Sequence, residues 1–225
     1  MSAAQWAELG ATVRAIHDLP PGDGFASMLR TEDFVPVKVV LLREVEQRID
    51  AGELGHEPAR HELAGIWRSR RDHIDRIAAQ TDALAPRARE RAGPAVICHA
   101  DIHAWNVLLT LANDIAIVDW DEAMLAPRER DLMFVDGVAG GHAADPIAFF
   151  EGYGDVEADP VVMAYYRAEW TVQDLAGYAA RIFLDPDASD DSKAESIEII
   201  AKILSPGGEI DVVTAAVEAL DRRTL

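Results

Sequence analysis

The segment from His99 to Asp121 constrains this chain more than any other. It reads HADIHAWN over 99–106, then the apolar run VLLT, a turn at LAND, and IAIVDWD ending at Asp121. Two short apolar runs flank Asn113 and Asp114, whose side chains readily close turns, so a β-hairpin is expected. A hairpin returns the end of its second strand to the start of its first. Asn106 opens one strand, and Asp119, 18 residues after Asp101, closes the other. Both should therefore reach the same end, beside the loop that carries Asp101.

The order H-x-D-x-x-x-x-N, followed by an aspartate at a strand end, suits phosphoryl transfer. That reaction needs a carboxylate to orient the acceptor hydroxyl and take its proton, and Mg²⁺ to hold the phosphates. Mg²⁺ prefers hard oxygen ligands and takes one or two from the protein. Asp101 has the place of the base, while Asn106 and Asp119 offer the amide and carboxylate oxygens. Each residue also has a plainer reading. His99 alone reads as a hydrogen-bonded core histidine, and Asp and Asn are common loop formers. It is the joint order that points to chemistry. His99, Asp101 and His103 could instead be ligands of a metal-dependent hydrolase, but Asn106 and Asp119 would then go unexplained.

The string HADIHAWNVLL with IVDWDEAMLAPRERDL resembles the aminoglycoside phosphotransferase family, in the choline-kinase-like branch of the protein-kinase-like fold. Its wording around IVDWD and APRERDLMF is most similar to spectinomycin-type phosphotransferases. WAELGATVRAIHDLP at 6–20 looks like the helix that opens the family's C-terminal lobe, here ending on Ile16-His17. FFEGYG at 149–154 and AYYRAEWTVQDLAGYAARI at 164–182 look like the helices after the metal site. The resemblance implies an α+β, mostly α fold: a single C-terminal lobe with a small β-hairpin carrying the catalytic loop and metal site. It implies Asp101 as catalytic base, Asn106 and Asp119 as ligands of Mg²⁺ and thus of ATP or GTP, and His99 and Asp131 as supports of the loop. Asp121 has no fixed role in the family pattern and is a candidate for a second metal or the substrate.

The family also has an N-terminal lobe with a strand lysine for the phosphates. Lys38 in VPVKVV mimics that lysine. No glycine-rich hairpin precedes it, however, and Val37, Val40, Leu41, Val45 and Ile49 recur at helical spacing, so Lys38 is expected on a solvated helix face. The N-terminal nucleotide lobe is expected to be absent from these residues. The open cleft would then be covered by a separate lobe or a second copy of the chain. Alone, the chain should bind ATP more weakly than about 1 mM and turn over little. A lobe that keeps the motif but only binds a metabolite is the second reading.

Charge narrows the substrate class. Forty Asp and Glu face 21 Lys and Arg, for a net charge of −19. That argues against nucleic acid, which needs a basic face, and suits a cationic small molecule drawn to a negative cleft. Acidity is equally compatible with general solubility. No apolar run is long enough to span a membrane, and the N-terminus lacks a signal pattern. Cys98 is the single cysteine. It excludes an internal disulfide, favours a reducing cytoplasm, and reads as a buried apolar residue rather than a nucleophile.

Helices are predicted over 3–17, 35–50, 57–82, 129–139, 145–152, 160–184, 190–204 and 209–222. Asp145-Pro146, Asp159-Pro160 and, less well, Ala126-Pro127 pair a capping position with a proline at the first helical place. The arrangement divides into a helical insertion near 35–82, the loop and hairpin at 95–121, and a helical remainder from 127. Arg68, Arg70, Arg71 and Arg76 are expected to be solvated rather than phosphate-binding. Trp120 is expected in the core. Trp105 sits in a loop, where it could stack on a sugar or base. Trp170, Gln173, Glu169 and Asp174 lie on a helix that faces the acceptor cleft in the family. Glu169 and Asp174 are candidates for a substrate ammonium.

Overall fold

A computed structural model of the chain describes residues 1–20, 24–111, 114–135 and 145–224. In chain order the elements are α1 (Ala3–His17), β1 (Arg30–Thr31), α2 (Val37–Asp50), α3 (Pro58–Ser69), α4 (Arg71–Arg91), β2 (Val96–Cys98), β3 (Val107–Leu109), β4 (Ile115–Ile117), β5 (Met124–Ala126), α5 (Glu129–Leu132), α6 (Pro146–Tyr153), α7 (Pro160–Phe183), α8 (Asp190–Ile203) and α9 (Glu209–Thr224). The chain forms two compact units. The first takes residues 1–34 and 88–166, the second 35–87 and 167–225.

Local chemistry sets most helix ends. Ser2 caps α1 in a reciprocal box with Gln5, its Oγ accepting the Gln5 N–H at 3.3 Å while its own N–H donates to Gln5 Oε1 at 2.7 Å. Two orphan donors are satisfied at once. Asp145 accepts from Ala148 N–H at 3.1 Å ahead of Pro146. Asp159 accepts from Val161 N–H at 2.8 Å ahead of Pro160.

In the first unit, β5 is the middle strand of a three-stranded sheet. It runs parallel to β1 and antiparallel to β2, with Cys98 opposite Met124 and Val96 opposite Ala126. A separate hairpin pairs β3 with β4, Val107 opposite Ile117. The turn residue Asn113 lies outside the described residues. Helices α1 and α6 pack with backbones nearly touching. A Cβ on Gly10 would stand 2.0 Å from Phe149 O, and one on Gly152 would stand 1.8 Å from Ala7 O. No side chain fits there without parting the helices. Gly152→Ala should therefore cost about 1–3 kcal/mol or more as an overpacking substitution. Thermal unfolding should show a drop of several degrees, and an unchanged midpoint would contradict the close approach.

The second unit is all helical, with Leu42, Val45, Ile49, Leu63, Trp67, Ile74, Ile77, Leu175 and Ile200 fully buried. Its arginines make protein contacts. Arg70 pairs with Asp211 at 2.5 Å, Arg71 with Asp50, and Arg68 donates to Ile49 O at 2.9 Å. Arg76 reaches Glu218 at 3.5 Å. Lys38 sits in the first turn of α2.

Several expectations need correction. The helix foreseen at 57–82 is two helices broken at Arg70, whose φ of −119° and ψ of 13° leave the helical range, and the second runs on to Arg91. On α2 the buried stripe is Val39, Leu42, Val45 and Ile49, while Val37 and Val40 are exposed. Adjacent valines and leucines at 39–42 fit two stripes about 100° apart, and packing chooses one. Ala126 ends strand β5 rather than capping a helix, and the helix foreseen at 129–139 ends at Leu132, residues 136–139 lying outside the described ones.

Candidate functional site

The site grows from the end of β2. After Cys98 the backbone turns sharply, and Ala100 takes a φ of 68°. A side chain in that left-handed region costs roughly 1–2 kcal/mol and persists only where its surroundings over-determine it. Here the carboxylate of Asp131 on α5 does so. It accepts from His99 N–H at 3.0 Å and from Ala100 N–H at 2.7 Å. Its Oδ2 also meets His17 Nε2 at 3.0 Å. Asp131 is buried, with three donors around one carboxylate.

Asp101 follows directly. Its Oδ2 accepts from Asn106 Nδ2 at 3.0 Å, and the same Nδ2 donates to the Asp101 carbonyl at 2.9 Å. The other oxygen, Oδ1, is buried without a hydrogen-bond partner, and His103 Nε2 lies 3.5 Å from it. Burial pushes the Asp101 carboxyl above its ordinary range, against the opposing pull of His103, His99, the Asn106 hydrogen bond and Arg130. A carboxylate held short of partners in a half-buried place is a stronger base than one in water.

The hairpin brings the other residues in. Val118 N–H donates to Asn106 O at 3.0 Å, adding a rung beyond the Val107–Ile117 pair. Asn106 and Asp119 thus share one end of the hairpin. Asp119 is exposed, with a φ of 63°, and Asp121 is exposed in the turn that follows. Asn106 is only 7% exposed and the Asp101 side chain 19%, so of the three only Asp119 lies on open surface. His99 is fully buried. Its Nε2 meets the Val118 carbonyl at 2.9 Å, so that nitrogen carries the proton, and its Nδ1 accepts from Asp101 N–H at 3.3 Å. Trp120 is half-buried rather than in the core as expected; it packs edge-on against His99 at 4.7 Å and donates to Ile117 O at 3.1 Å. Trp105 is 76% exposed.

The remaining sequence candidates belong to the second unit. Glu169, Trp170, Gln173 and Asp174 belong to the part of α7 in the second unit, with Trp170 buried. Both ring nitrogens of His99 are engaged, and His99, Asp101 and His103 do not converge as metal ligands among the described residues. Their chemistry as a hydrolase centre gains nothing from the geometry. Sequence reasoning passed over Tyr153, whose hydroxyl meets His17 Nδ1 at 2.8 Å, and Arg130, buried over the Tyr166 ring at 5.4 Å. Neither carries a local signal, because their partners lie far away in sequence.

Residues 2–166 match the Phosphotransferase enzyme family. The chain belongs to that family. The match holds the whole of this site, from His17 through Asp131 to Tyr153. Among curated proteins, Protein StrN of Streptomyces griseus is 27% identical over 196 residues, covering 83% of this chain and 56% of StrN. Among solved structures, a spectinomycin phosphotransferase in complex with ADP and spectinomycin is 30% identical with a TM-score of 0.80, over 96% of this chain and 66% of that one. An aminoglycoside phosphotransferase from Alicyclobacillus acidocaldarius shares the fold at 16% identity and a TM-score of 0.61, over 99% of this chain and 67% of that one. The chain thus spans little more than half of StrN and about two thirds of these structures. No helix among the described residues is long and apolar enough to cross a membrane.

Proposed function

We propose that this chain is the acceptor-side lobe of a small-molecule phosphotransferase that moves the γ-phosphate of ATP or GTP to a substrate hydroxyl, with Asp101 as the base. One observation carries the reading. Asp101 has one oxygen fixed by Asn106 and the other buried without a partner, while burial raises its basicity. That second oxygen suits a hydroxyl that must be oriented and deprotonated. Asn106 spends its amide N–H groups on Asp101, so its carbonyl oxygen is left for a ligand. Together with the exposed Asp119 carboxylate it makes a hard-oxygen pair that fits Mg²⁺. When bound, the ion would neutralise charge on the phosphates. ADP and AMP bound to the related spectinomycin enzyme support a nucleotide, and the net charge of −19 supports a cationic acceptor of the aminocyclitol or aminoglycoside class. Cytoplasmic residence fits the single, buried cysteine.

Exposed Trp105, Leu108 and Leu109 beside the site support a further element of this reading. Further polypeptide, a separate lobe or a second copy, would cover them in the working protein, because clustered apolar surface marks interfaces.

Mn²⁺ in place of Mg²⁺ tests the metal assignment without requiring turnover. With ADP present, substoichiometric Mn²⁺ should broaden the amide NMR signals of Asn106, Val107 and 118–120 first. Asp119→Asn should abolish that pattern and leave the rest of the spectrum in place. Broadening centred on another part of the chain would overturn the assignment.

A further inference from the structure

A buried chain of hydrogen bonds runs from α6 to the loop that carries Asp101. The Tyr153 hydroxyl meets His17 Nδ1 at 2.8 Å, His17 Nε2 meets Asp131 Oδ2 at 3.0 Å, and Asp131 holds the His99 and Ala100 N–H groups at 3.0 and 2.7 Å. Tyr153, His17 and Asp131 are 1%, 5% and 1% exposed, so water does not compete for these bonds. From these contacts we infer that Tyr153 and His17 are positioning residues: they fix Asp131, and through it the left-handed turn at Ala100 that aims Asp101. The inference rests on the reading of Asp101 as base for its consequence in turnover, but not for its consequence in loop geometry.

The direction of each bond follows from proton inventory. Burial pushes the Tyr153 phenol up to about 12, so it keeps its proton. Its partner in the fold is His17 Nδ1, which therefore accepts and leaves the ring proton on Nε2. Nε2–H then donates to the Asp131 carboxylate, the stronger charge-assisted bond. Without the phenol O–H, Nδ1 is a buried unpaired acceptor, and the ring loses one of its two anchors while Nε2–H stays on Asp131. A change of tautomer gives no relief, because a bare Nε2 would face a carboxylate oxygen, two acceptors at 3.0 Å, so the ring tilts instead to find Nδ1 a donor. Asp131, following the displaced ring, would turn away from one of the two amides that hold Ala100 at a φ of 68°. Tyr153 reaches this turn although 136 residues separate it from His17. The same cluster, with Cys98, brings three metal-ligating types together. The hydrogen bonds above already occupy His17 and Asp131, and the Cys98 thiol donates to Ala126 O at 3.5 Å, so the group reads as a brace rather than a metal centre.

Tyr153→Phe is the sharpest test, because the ring still stacks on Phe149 at 5.7 Å and 17° and the fold should survive. In the full chain, long-range ¹H–¹⁵N spectra should show His17 as one tautomer, protonated at Nε2. In Tyr153→Phe that tautomer should persist, the Nδ1 signal should lose the shift of a hydrogen-bonded acceptor, and the amide signals of His99, Ala100 and Asp101 should move. His17→Gln keeps an N–H donor toward Asp131, so it should restore the native amide positions that His17→Ala loses. Where turnover is measurable, a loosened loop should lower kcat by about tenfold to a hundredfold, with the nucleotide KM unchanged. Amide signals at 99–101 that stay in place in folded Tyr153→Phe would overturn the inference. Signals that move while kcat stays constant would uphold the brace and sink instead the reading of Asp101 as base.

Discussion

Asp101→Asn should lower kcat for phosphoryl transfer by about 10²–10⁴-fold, the usual cost of removing a general base, without harming the fold. The second half of that expectation follows from the site. Burial raises the Asp101 carboxyl, so its ionised form is disfavoured in the folded state. A carboxyl raised on folding weakens the fold above its folded-state pKa, and the penalty is relieved as pH falls and the group takes up a proton. A neutral amide avoids it at every pH, and its oxygen can still accept from Asn106 Nδ2. Asp101→Asn should therefore be at least as stable as the native chain above neutral pH. The same shift gives the native enzyme an acid limb. Activity should rise with pH as Asp101 loses its proton, with an apparent pKa above the ordinary value near 4. Rates measured across pH on the protein with its nucleotide site complete would decide this. An Asp101→Asn variant with near-native kcat would remove Asp101 from the mechanism.

The parts of this site that sequence made legible are the parts held together locally. Asp101, Asn106 and Asp119 lie within 18 positions of one another and share one hairpin. A two-stranded turn joins their ends whatever the rest of the chain does. Two helix starts were legible for the same reason, since Asp145 and Asp159 meet their partners within three residues. Strands β1 and β5 were not. Each is two or three residues long, too short for an alternating pattern, and β1 pairs with a strand more than 90 residues away. Tyr153 was invisible as a functional residue because its partner, His17, lies in α1. Conversely, Val37 and Val40 fitted an apolar stripe on α2 and proved exposed, because a dense run of valine and leucine leaves the buried face to tertiary packing.

Asp131→Ala should have the largest effect on stability. The native carboxylate is fully enclosed and serves His99 N–H, Ala100 N–H and His17 Nε2 together. Truncation strands all three donors, and each buried unsatisfied group costs about 1–3 kcal/mol. Some of that is recovered if the loop relaxes toward water, so a net loss of about 3–5 kcal/mol is expected, similar to breaking a buried ion pair. That is a large share of the roughly 5–15 kcal/mol available to a domain. The loss belongs to the first unit, where all these residues lie. Hydrogen exchange should therefore accelerate at His99, Ala100 and neighbouring β2 before the helices of the second unit respond. Asp131→Asn keeps one acceptor oxygen but turns an NH₂ group toward a donor, so it should fall between the two. The ordering native, Asn, Ala in urea midpoint is the expected result. Asp131→Ala at native stability would mean that the turn at Ala100 holds itself, and the brace from Tyr153 would have nothing to act through.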